Sequence, residues 1–129
     1  MTTLRPRVPK LMEKARHDLG LAQKFLGLAP EQAARLGYMA AFHACRAAVL
    51  AATGREPKTH SGVRSAFGEL VVKEQSLGRE LGRYISAAYE SKDIADYQTE
   101  YEVDLASAER VVAGARELVA RVSAFLGLG

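Results

Sequence analysis

The chain reads as all-α, an up-and-down antiparallel bundle of four long helices plus a short extra helix. Three observations lead there. Apolar residues recur three or four positions apart through long stretches, the period of one helix face. Residues that start and stop helices fall between those stretches. The aliphatic residues are mostly small, with four Pro and no Trp in 129 residues, so helices can approach one another closely.

The first helix is expected from about Pro9 to Leu28, where Leu11, Ala15, Leu19, Ala22 and Leu26 form one stripe. Pro30 and Glu31 then mark a new start, because proline fits the first turn and an acid there complements the helix dipole. This second helix runs to Thr53, with Gly54 as its stop. It is apolar nearly all round, which places it centrally, and His43 and Arg46 interrupt its apolar surface. Thr59 or Ser61 can cap a third helix, with Val63, Phe67, Leu70 and Val71 as its inner face. The pattern breaks around Ser76 and Gly78, and Leu77, Leu81, Tyr84, Ile85 and Ala88 resume it as a shorter fourth helix. Asp104 caps the last helix, in which Leu105, Ala108, Val112, Ala115, Val119, Val122 and Leu126 keep helical spacing throughout.

Residues 1–129 form one domain by length, large enough to bury a core without disulfides or metal. The net charge is +3 and the sequence pI about 9.2, with Arg5, Arg7, Lys10, Lys14 and Arg16 gathered near the N-terminus. So small an excess fits a solvated helix face better than an extended nucleic-acid interface. The single Cys45 lies in an apolar run and reads as a buried thiol in a reducing compartment, so a cytoplasmic location is expected. The longest aliphatic run, Ala47 to Ala52, is far too short to cross a bilayer, and no membrane partner is expected.

Three scattered histidines and one cysteine give neither a zinc pattern nor the Glu-x-x-His pairs of di-iron bundles, and no glycine-rich phosphate loop occurs. No metal or cofactor is therefore expected. Chemistry is sought first in the charge-dense segment from Glu90 to Tyr101, where Lys92, Asp96 and Tyr97 are the candidate catalytic residues. His60, His43, Arg46 and Tyr101 are the candidates for the surrounding cleft, with Asp96 the obvious acid to pair with His43 and Arg46. Each has a plainer structural role open to it. Lys92, Asp93 and Asp96 read equally as a surface charge cluster, the tyrosines as packing residues and His60 as a loop or capping residue.

The run from Leu36 to Ala47 (Leu-Gly-Tyr-Met-Ala-Ala-Phe-His-Ala-Cys-Arg-Ala), the segment Pro57-Lys58-Thr59-His60-Ser61-Gly62-Val63 with Phe67-Gly68, and Lys92 to Tyr97 in the form Lys-x-x-Ala-Asp-Tyr resemble the HEPN superfamily. In particular, they resemble its small stand-alone bacterial and archaeal proteins. The resemblance spans about Lys10 to Val122 and is most specific at Lys-Thr-His-Ser-Gly. It implies a bundle of four or five helices, a homodimer with facing polar segments, and a role as the toxin of a toxin–antitoxin pair, often beside a nucleotidyltransferase-type antitoxin partner.

Active members are similar to one another in carrying Arg, four to six residues, then His, and they cleave RNA without metal. The resemblance places Lys92 where that arginine is expected and Tyr97 in a histidine-like position. Lysine supplies a point charge without the guanidinium fork. A phenol with a reference pKa of about 10 is a poor base at neutral pH. The sequence therefore favours a module that binds RNA, a nucleotide or a partner protein over a metal-independent RNase toxin. A purely structural helical dimer is the third alternative.

Overall fold

A computed structural model of the protein describes residues 6–97 and 103–128, without the side chains of residues 93–97. The described residues form five helices and no strand: α1 (Arg7–Phe25), α2 (Pro30–Thr53), α3 (His60–Lys73), α4 (Arg79–Tyr97) and α5 (Leu105–Phe125). The all-α bundle expected from the helical periodicity is the fold observed.

The central element is α2. Pro30 opens it and Glu31 lies in its first turn. Its fourteen buried residues include eight that are Ala or Gly, so that α1, α3, α4 and α5 all pack against it. At Gly37 an added Cβ would lie 3.2 Å from a Val111 methyl, which shows how closely α5 approaches. The helix ends at Gly54, whose φ of 74° suits a residue without a side chain and lets its N–H reach the Leu50 carbonyl at 2.9 Å.

Thr59, rather than Ser61, caps α3: its backbone is extended and its Oγ1 accepts the Gly62 N–H at 2.9 Å. This cap makes His60 the first residue of the helix, at the junction with α2. At 14 residues α3 is the short helix of the bundle, whereas α4 has 19. The fourth helix is thus longer than its apolar pattern predicts. Residues 90–97 contain neither Gly nor Pro, so no helix breaker stops α4 after Ala88, the last residue of its expected inner stripe.

The first helix also differs at its ends, running from Arg7 to Phe25 instead of Pro9 to Leu28. The chain turns there as the N–H groups of Leu28 and Ala29 both bond the Phe25 carbonyl. On the other side of the bundle, Asp104 caps α5 by accepting the Ser107 N–H at 2.7 Å. Tyr84 bridges α4 to α5, its ring against Gly114 and its hydroxyl donating to the Val111 carbonyl at 2.6 Å.

Candidate functional site

The site begins with an i, i+4, i+8 ridge on α2: Tyr38, Phe42 and Arg46. His60, held at the start of α3 by the Thr59 cap, lies across this ridge. Its ring stacks on Phe42 with centroids 4.0 Å apart and planes 7° from parallel. Its Nδ1 is 2.9 Å from the Tyr38 hydroxyl. One turn further along α3, the Arg64 guanidinium lies 3.8 Å over the ring of Tyr89 from α4, a close cation–π contact. Tyr89 in turn tilts against Tyr38, so aromatic rings from α2 and α4 and the imidazole from α3 form one continuous wall.

Positive charge surrounds this wall. Burial lowers the His60 pKa, and the charges of Lys92, Arg64 and Arg46 lower it further, which keeps the ring neutral at physiological pH. Burial raises the Tyr38 pKa, so its phenol stays protonated and can either donate to Nδ1 or accept from it. In the tautomer in which Nδ1 carries the hydrogen, Nε2 keeps its lone pair. The arrangement can grip an anion and hold a neutral imidazole beside it.

Behind the wall runs a polar chain. His43, 3 % exposed, faces Arg46 Nη1 through Nδ1 at 3.2 Å and Asp18 Oδ2 through Nε2 at 3.5 Å. A guanidinium only donates, so Nδ1 accepts and the ring hydrogen sits on Nε2, which is buried and hydrogen-bonds no described residue, Asp18 included. Burial, followed by the charges of Lys14, Arg46 and His60, lowers the His43 pKa to about 4. Arg46 also donates to Glu56 Oε1 at 2.5 Å. Arg7 grips the same carboxylate with two bonds, at 2.9 and 2.7 Å. The Arg7 bonds chiefly, aided by those from Arg46, hold the Glu56 pKa at about 2. An open concavity of about 470 Å³ adjoins these groups, lined by Arg7, Phe42, Arg46, Glu56, Pro57, Lys58 and His60.

Of the residues singled out by sequence, His60 and Arg46 line one cleft, with His43 supporting Arg46 from behind, and the Lys92 charge acts on His60. The side chains of Asp96 and Tyr97, and the whole of Tyr101, lie outside the described residues. Among the described residues, the acids facing His43 and Arg46 are Asp18 and Glu56, and the expected pairing with Asp96 lies outside them. Sequence reasoning missed Tyr38, Glu56, Arg7, Arg64 and Tyr89. The four-residue spacings of Tyr38, Phe42 and Arg46, and of His60 and Arg64, carried part of that signal.

The Arg, four residues, His spacing also occurs at Arg55 and His60, but Arg55 is exposed on the loop. The guanidiniums that act on His60 are those of Arg64 and Arg46. Among the described residues, no three His, Cys, Asp or Glu side chains are grouped to hold a metal, and no helix is long and apolar enough to cross a membrane.

Two proteins of Methanocaldococcus jannaschii described as candidate toxins are similar to this chain. One is 33% identical over 105 residues, covering 78% of this chain and 68% of its own length. The other is 30% identical over 120 residues, covering 92% of this chain and 88% of its own. Residues 8–125, nearly the whole bundle, match the HEPN domain. This chain therefore belongs to the HEPN domain family.

Proposed function

We propose that this protein is the toxin-side HEPN module of a toxin–antitoxin pair and that it binds RNA or a nucleotide in the cleft where α2, α3 and α4 meet. The observation that carries this reading is the surrounding of His60 by Arg46, Arg64 and Lys92 above an aromatic wall. Cations suit phosphates, and the partly exposed rings of His60 and Tyr89 suit bases. The relatedness to candidate toxins supports the biological context. A homodimer and a nucleotidyltransferase-type antitoxin partner complete the proposal. Incubation of the purified protein with single-stranded RNA in chelator is the test. Salt-sensitive binding that is lost in Arg64→Ala supports it, and no binding refutes it.

A second reading, a metal-independent endoribonuclease, is favoured by the neutral His60 ring with Nδ1 fixed by Tyr38. Its Nε2 would take a 2′-hydroxyl proton while Arg64 or Arg46 holds the phosphate. Cleavage in chelator that disappears in His60→Ala supports this version. Binding without cleavage leaves the first.

A further inference from the structure

We infer that Arg7 and Arg46 form a subsite for a terminal phosphomonoester, the end phosphate of a nucleic-acid strand, and that the Glu56 carboxylate is its internal stand-in. The inference rests on the proposed phosphate-binding cleft and names a ligand group within it. Two guanidiniums, one from the first residue of α1 and one from the middle of α2, converge with three hydrogen bonds on one carboxylate. That carboxylate belongs to the loop joining α2 to α3 and lines the same concavity as His60.

An incoming anion must replace the bonds that Glu56 makes, while the arginine beneath it stays in place. The side chains of Arg7 and Glu56 are 48 % and 25 % exposed, so both can be reached from solvent for that exchange. Arg46 is only 20 % exposed and has a second partner, His43 Nδ1, which remains when Glu56 leaves. His43 is therefore a positioning residue that keeps the fork aimed into the concavity. Lys58 adds a further cation to the lining.

Charge selects the ligand. A carboxylate and a phosphodiester each carry one negative charge, so a diester has no electrostatic advantage over Glu56. A phosphomonoester carries between 1.5 and 2 negative charges at pH 7, roughly, and offers three acceptor oxygens to the two guanidiniums. The Arg7–Arg46 fork thus prefers strand ends over strand interiors, and Pro57 supplies an apolar surface beside it for the terminal base.

The test is fluorescence anisotropy with a short single-stranded RNA bearing either a 5′-phosphate or a 5′-hydroxyl and labelled at its 3′ end. The parallel pair with a 3′-phosphate or 3′-hydroxyl is labelled at its 5′ end. A phosphate at one end should tighten binding about tenfold. Arg7→Ala should bring the ratio of the two affinities to about one, lowering affinity for the phosphorylated strand more than for the hydroxyl-ended one, and Glu56→Gln should strengthen binding of the phosphorylated strand. Arg7→Lys, which keeps the charge without the fork, should retain only part of the preference.

Equal affinity for both ends in the wild type overturns the subsite and leaves the cleft proposal standing. Binding by neither strand overturns both. A nucleoside monophosphate that competes with the same dependence on Arg7 supports the subsite and identifies a mononucleotide as its ligand.

Discussion

Acidification from pH 7 to 5 should destabilise this protein in large part through the buried imidazole of His43. His43 is 3 % exposed, and its pKa falls from 6.5 to about 4 on folding. The folded ring thus binds fewer protons than the unfolded ring between those values, and stability falls as pH falls. Linkage from 6.5 to about 4 gives a loss of about 2 kcal/mol between pH 7 and 5, and about 3 kcal/mol by pH 4.

Glu56 acts lower: its folded pKa of about 2, against 4.5, gives stability that is lost mainly below pH 4.5. Asp18, whose pKa burial raises above 3.8, has the opposite sign and recovers a little near its own titration. His60 shares the sign of His43, so the comparison must be with a variant. Guanidinium unfolding of the wild type and of His43→Gln at pH 7 and pH 5 separates them. The wild type should lose about 2 kcal/mol more than the variant over this interval. Equal losses in both proteins would refute the placement of His43 as a neutral, buried ring.

Other outcomes follow from the same geometry. Gly114→Ala drives a Cβ to 2.2 Å from the Tyr84 ring and should cost about 1 to 3 kcal/mol in chemical denaturation, with Tyr84→Leu relieving much of the loss. Thr59→Ala removes the α3 cap and should cost about 1 kcal/mol, with Thr59→Ser retaining most of the stability. Tyr38→Phe removes the hydroxyl facing His60 Nδ1, at a cost of about 1 kcal/mol, and should shift the imidazole resonances of His60 in NMR.

The fold was legible wherever local chemistry and periodicity agree. Pro30 and Gly54 bracket α2, and Asp104 with an unbroken apolar stripe defines α5. The C-terminal half of α4 was misread because its apolar stripe fades after Ala88, while the charged residues that follow hold no Gly or Pro to end the helix. In the site, Arg46 and His60 could be named because they interrupt apolar or turn sequence. Their partners could not, because Glu56 is ten residues from Arg46 and 49 from Arg7, and Tyr89 meets Arg64 only when α4 packs on α3. Such pairings are made by tertiary packing and leave no local pattern.

The cleft at α2, α3 and α4 as a phosphate-binding site is tested most directly by RNA binding in chelator across a salt series, for the wild type and for Arg64→Ala and Lys92→Ala. Folding of each variant is verified by its unfolding midpoint. The wild type should bind single-stranded RNA with an affinity that falls as salt rises, and each folded variant should bind more weakly, with a salt slope smaller by about one. A wild type that does not bind, or folded variants that bind like the wild type, would contradict the account.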